Sequence, residues 1–159
     1  MTDAEDIDVA HDEVLGSRVG YVVRRFNQAI RAQVEDGLRP LGLTTSQYAV
    51  LAVLQRHDGI NNAQLARVLA VTPQTMTRIL AGMSQAGLIV RQVSAHHGRV
   101  RLALLTDAGR ELADRAHPVI DAAEDRLLAP LTDRQRAQLL GYMRTCADAL
   151  PGDIVFDSL

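Results

Sequence analysis

Residues 61–87, NNAQLARVLAVTPQTMTRILAGMSQAG, leave the chain few ways to fold. Two short helical patterns lie here, each too short to be stable alone, and Ala70-Val71 turns the chain between them. Leu65, Ala66 and Leu69 make the apolar face of the first; Met76, Ile79, Leu80 and Met83 make that of the second. Thr72 caps the second helix, and Pro73 takes its first position, where a missing N–H breaks no ladder bond. Gly87 follows as a stop. This spacing predicts a helix-turn-helix, a unit that presents its second helix to a groove.

The neighbouring residues extend the unit. LIVRQV and VRLALL read as two strands, joined by the polar, Gly-containing tip SAHHGR. A hairpin in that place is a wing. Upstream, Leu15, Val19, Val22, Phe26, Ile30, Val34 and Leu38 recur at steps of three and four until Pro40 and Gly42 break the run. A helix of about two dozen residues is roughly 36 Å long, more than a small domain needs, and asks for a partner. Thr44 with Gln47, Asn61 with Gln64 and Thr132 with Gln135 are three capping boxes. The first opens a helix that carries Tyr48, Leu51, Ala52 and Leu54 and stops near Asp58-Gly59. Another long helix starts at Thr106, with Leu112, Ala116, Val119, Ile120, Ala123 and Leu127 as its stripe and Pro118 predicted to kink or split it. The last helix uses Leu139, Leu140, Met143, Ala147 and Leu150. The scarcity of aromatics, with no Trp, three Tyr and two Phe, suits aliphatic helix-on-helix packing.

Net charge says little until it is divided. Residues 59–106 hold no Asp or Glu but carry Arg67, Arg78, Arg91, Arg99 and Arg101, a charge of +5; against −2 for the whole chain, the remainder carries −7. Ordinary surfaces mix signs, whereas a one-sign segment is what a phosphate-facing surface needs. Cys146 is the only cysteine, so no internal disulfide forms, and a reducing cytosol is the expected setting. The acidic start MTDAEDIDVAHDE has no apolar region of a signal peptide, and no apolar run reaches membrane-spanning length. A cytoplasmic protein without membrane partners is expected.

LTTSQYAVLAVL, the 61–91 segment and GRVRLALLTDAGREL together resemble the MarR family of bacterial transcription regulators. The resemblance is close over residues 41–113. Its most specific part is the wing exit, GR-x-R-x-x-x-LT-x-x-G, met by Gly98, Arg99, Arg101, Leu105, Thr106 and Gly109. The resemblance implies a mainly α, winged helix-turn-helix fold with long flanking dimerisation helices. It also implies a homodimer straddling a pseudo-palindromic operator in double-stranded DNA, released by a small phenolic or carboxylate effector. The chain then divides into a disordered acidic arm (1–14), a helical dimerisation region (15–43 and 106–150), a winged DNA-binding domain (44–105) and a tail (151–159). The tail residues Ile154, Val155 and Phe156 either pack on a partner or stay loose. One departure concerns the wing: the family often has Asp two residues before the tip Arg, and here that place holds His97, after His96.

With Met76, Ile79, Leu80 and Met83 inward, the outward face is Gln74, Thr75, Thr77, Arg78, Ala81 and Gly82. Gln74, Thr75 and Arg78 lie near the helix N-terminus, which reaches base edges; Gln pairs with adenine and Arg with guanine. Thr72 and Thr77 are phosphate candidates. Arg99 is expected in the minor groove, Arg101 on the backbone and Arg67 on a phosphate, while Arg91 either meets phosphate or binds an acid inside the protein. Tyr21, Arg24, Arg25, Tyr48, His57 and His117 are effector candidates where the long helices meet the winged domain. No metal or cofactor is expected: adjacent histidines in a hairpin point to opposite faces, and no second ligand cluster accompanies them. No nucleophile–base set or Gly-rich phosphate loop suggests an enzyme. Two alternatives are a redox-sensing regulator acting through Cys146 and a winged-helix protein–protein module, which would need no single-sign face.

Overall fold

The computed structural model describes residues 16–57, 59–93, 98 and 100–149. The acidic arm, the tail, Leu15, Leu150, His96, His97 and Arg99 lie outside these. Helix α1 (Val19–Leu38) leads through a 3-10 turn (Arg39–Leu41) to α2 (Thr45–Gln55). A short strand β1 (Ile60–Asn61) precedes α3 (Asn62–Val68) and α4 (Pro73–Gln85). Strands β2 (Ile89–Val93) and β3 (Arg101–Leu105) form the hairpin, and α5 (Asp107–Leu128) and α6 (Asp133–Asp148) follow. This is a mainly α, winged helix-turn-helix fold with long flanking helices.

The caps act as the sequence predicts. At Thr44, Asn61 and Thr132, side chain and backbone exchange hydrogen bonds with the Gln three residues on. Thr72 Oγ1 accepts from the Thr75 N–H, and Thr106 Oγ1 accepts from the Gly109 N–H.

The hairpin carries a third strand that the sequence reading missed. Ile60 pairs with Ala103 and Asn61 with Leu102, so the antiparallel order is β1-β3-β2, with β3 central. Two residues are too few to show a period of two, and Asn61 also caps α3.

One core runs through the winged domain into α5. Leu38, Val50, Leu51, Leu65, Met76, Leu80, Met83 and Ile89 are fully enclosed, and α5 adds Ala113, Ala116 and Ala123. Alanines let the helices approach closely, and Gly37 of α1 has no room for a side chain against Val119. Ile79 and the predicted stripe residues Leu112, Val119 and Ile120 are half-buried against this core.

Three sequence expectations need correction. First, of the two outcomes expected at Pro118, a kink or a split, the split does not occur: α5 runs unbroken through it. Pro118 is on the exposed face, so the carbonyl it leaves without a ladder donor sits on the wet side of the helix. Second, the α1 stripe is buried only at Val34 and Leu38; Ile30 and Phe26 are partly covered, while Val19 and Val22 are 78% and 50% exposed. Third, α6 buries nothing: Leu139 is half-buried, and Leu140, Met143 and Ala147 are exposed. The periodicity of these stripes is real, but among the described residues no element lies over their exposed parts.

Candidate nucleic-acid interface

Both ends of the recognition-type helix α4 are fixed by backbone turns. At its C-terminus, Gly87 adopts φ +72°, its N–H bonds to the Ser84 carbonyl and the Leu88 N–H to that of Met83. This Schellman arrangement satisfies carbonyls that the helix leaves open. The same motif closes α3, with Val71 N–H on the Ala66 carbonyl and Ala70 N–H on that of Arg67. Here the left-handed residue is Ala70, at φ 51°, the only non-glycine with positive φ among the described residues.

Met76, Leu80 and Met83 hold the inner face of α4 in the core. The opposite face presents Gln74, Thr77, Arg78, Ala81 and Gly82 to solvent. Thr75 is half-buried and accepts the Thr72 hydroxyl at 2.9 Å, so both side chains belong to the cap as well as to the surface. The Thr77 hydroxyl donates to the Pro73 carbonyl at 2.8 Å, which commits its one proton within the helix. Asn62, absent from the sequence candidates, also reaches this carbonyl, its Nδ2 donating at 3.2 Å.

In the hairpin, Arg91 stands opposite Ala103 and Val93 opposite Arg101. Arg91 and Arg101 are therefore diagonal neighbours on one face. Arg67, Arg78, Arg91 and Arg101 are all exposed, and none forms an ion pair among the described residues. Arg91 pairs with no acid among the described residues. Charges that face water without counter-charges give the surface a single sign.

Thr106 and Gly109 owe their places to the scaffold. The Thr106 hydroxyl donates to the Gly87 carbonyl at 2.7 Å, and its N–H bonds to the Leu88 carbonyl at 3.1 Å. One residue thus closes the base of the hairpin and starts α5. Gly109 lies against the Leu88 carbonyl, where a Cβ would collide.

The effector candidates fall into two groups. On α1, the guanidinium carbons of Arg24 and Arg25 lie 5.6 and 5.9 Å from the Tyr21 ring centroid. Between α2 and α5, Tyr48 Oη lies 2.9 Å from His117 Nδ1, and His117 Nε2 lies 2.6 Å from Gln55 Oε1. Gln55 Nε2 donates to Asp114 at 2.8 Å, which turns its oxygen toward the imidazole. His117 then carries its proton on Nε2 and accepts the Tyr48 hydroxyl on Nδ1. Burial holds the Tyr48 hydroxyl above the usual tyrosine range, the Asp121 and Glu124 carboxylates push the same way, and Arg56 opposes them. A ligand carboxylate set beside Tyr48 would meet that negative field. His57 is exposed just past α2 and Cys146 is exposed on α6; the structure brings neither into these groups. Among the described residues no group of His, Cys, Asp and Glu could hold a metal ion, and no helix is long and apolar enough to cross a membrane.

A MarR family profile matches residues 41–100. The HTH-type transcriptional repressor Rv2887 of Mycobacterium tuberculosis is 40% identical over 120 residues, covering 76% of this chain and 86% of the relative. A crystal structure of that MarR family protein in complex with DNA superimposes with a TM-score of 0.70 at 35% identity, over 82% of this chain and 98% of that one. Its complex with salicylic acid gives 0.67 at 37%, over 82% and 96%. A MarR family regulator from Rhodococcus sp. RHA1 gives 0.79 at 24% identity, over 86% and 98%, a likeness of fold alone. With a repressor of this family matched at such identity over most of both chains, and with Thr106 and Gly109 of the wing exit placed by the scaffold they build, the chain belongs to the MarR family of transcriptional regulators.

Proposed function

We propose that this protein is a DNA-binding transcriptional repressor that works in the cytoplasm as a homodimer and leaves its operator when a small aromatic acid binds. The observation that carries the reading is the exposed, acid-free surface of α3, α4 and the hairpin, where Arg67, Arg78, Arg91 and Arg101 have no ion-pair partner among the described residues. Residues 44–105 are the DNA-binding domain. Gln74, Thr75 and Arg78 read bases from α4, Thr72 and Thr77 approach phosphates, and Arg67, Arg91, Arg99 and Arg101 contact backbone or minor groove. Thr77 needs another rotamer to donate to a phosphate, since its proton lies on the Pro73 carbonyl.

Residues 15–43 and 106–150 pair two copies. Val19, Val22 and Val23 of α1 and Leu140, Tyr142 and Met143 of α6 are large apolar groups left exposed in the single chain. A second copy covers them by two-fold symmetry, and the operator is a pseudo-palindrome with half-sites about 10 bp apart. The M. tuberculosis relative, crystallised with DNA and with salicylic acid, supports the corresponding partners here. Arg24 and Arg25, beside the Tyr21 ring, supply charge for a carboxylate, and Tyr48 and His117 suit a neutral phenol better than an anion.

A duplex-binding titration tests the reading. The affinity of the wild-type chain for a duplex it selects from a random pool should fall steeply and log-linearly with salt. Arg78→Ala should relax sequence choice by about 1–3 kcal/mol at one base pair, while Arg101→Ala should weaken all sequences and make the slope shallower. Salicylate should raise the thermal midpoint and release the duplex. A flat salt response points to a protein–protein module instead.

A further inference from the structure

We infer that Asn62 is a positioning residue for base reading: it holds the first turn of α4 against α3 and thereby sets where Gln74 and Arg78 meet the base edges. This deepens the DNA-binding reading and rests on it. Asn62 is the first residue of α3, one place after the Asn61 cap. Its Nδ2 donates to the carbonyl of Pro73, eleven residues on, at 3.2 Å. Its Oδ1 lies 3.4 Å from the Thr77 hydroxyl, which itself donates to the Pro73 carbonyl. With the Thr77 proton on the Pro73 carbonyl, the Asn62 Nδ2 bond is the one side-chain hydrogen bond that joins α3 to α4 among the described residues.

The place of this bridge is informative. Met76, Leu80 and Met83 bury the inner face of α4 in the common core. They fix depth but leave rotation and tilt of the first turn to the rim. Asn62 grips Pro73 itself, next to Gln74 and five residues before Arg78. Bidentate pairing to a base requires donors placed to within about half an ångström. A contact that steadies this end of the helix therefore acts on sequence choice more than on overall attraction. Asn62 carries no charge, so its loss removes no phosphate neutralisation.

The experiment uses the full chain and two duplexes: one selected by the wild-type chain from a random pool, and a scrambled duplex of equal length. Affinities for both are measured across a salt series for the wild-type, Asn62→Ala and Asn62→Ser chains, with thermal melts as the folding control. Ser keeps a polar residue at the helix start but is too short to reach Pro73. The selected-to-scrambled ratio should fall roughly three- to tenfold in both variants, the size of one neutral hydrogen bond, with the salt slope unchanged. If only Asn62→Ser folds, it carries the test alone. An unchanged ratio overturns the proposal. So does equal weakening on both duplexes with a shallower slope, which would make Asn62 a phosphate contact. Failure of the wild-type chain to select any duplex would sink the DNA-binding reading, and this inference with it.

Discussion

Ala70 is an L-residue at φ 51° in a turn that glycine usually fills. Its backbone closes α3 well, but the Cβ crowds the following carbonyl, at a cost of about 1–2 kcal/mol. Ala70→Gly should relieve that crowding and give back part of it through unfolded-state entropy. The expected outcome is a gain of up to about 1 kcal/mol in denaturant unfolding, and a loss would mean the turn is relaxed as it stands. Gly109 is the opposite case, because a methyl group there runs into the Leu88 carbonyl. Gly109→Ala should cost about 1–3 kcal/mol, as overpacking does, and lower the thermal midpoint by several degrees. Tyr48 gives a test with pH. Its proton is held more tightly in the fold than in the unfolded chain, whose value is near 10. Stability from this source is fully present below pH 10 and is lost as pH rises through the raised value. One of the three tyrosines should show late phenolate absorbance in an alkaline titration, and Tyr48→Phe should abolish that late phase.

At the scale of elements, local chemistry was legible and distant pairing was not. Each capping box has both partners within three residues, so Thr44, Asn61 and Thr132 could be read directly. The inner face of α4 followed from its period, and the acid-free arginine stretch followed from counting. Strand β1 left no trace because its evidence is Ala103 and Leu102, some forty residues away. Tyr48 and His117 were both candidates, but their contact spans 69 residues and passes on through Gln55, which no spacing rule selects. Asn62 escaped notice for the same reason: its partner is a backbone carbonyl, and backbone atoms have no sequence signature. The stripes of α1 and α6 show where apolar groups recur, whereas burial also depends on what lies opposite.

The uncovered stripes give a prediction for the whole molecule. Leu140 is 47% exposed in the single chain and lies outside the hydrophobic core, so a charge there leaves that core intact. Leu140→Glu should leave the winged domain folded and shift sedimentation from dimer to monomer. A dimer that survives would place the pairing surface elsewhere. Asn61 has a consequence at the same scale. It is paired with Leu102 in the sheet while its side chain caps α3 through the Gln64 N–H. Strand β3, central in the sheet, is thus fastened to the start of the helix that carries α4. The hairpin strands and the two helices cannot take separate angles on a duplex; they turn as one body. Spin labels on the exposed faces of α4 and β3 in one protomer should keep their separation when DNA binds. Labels placed across the proposed dyad should not, because one core ties each winged body to α5 and adjustment to half-site spacing then falls to the contact between the two copies.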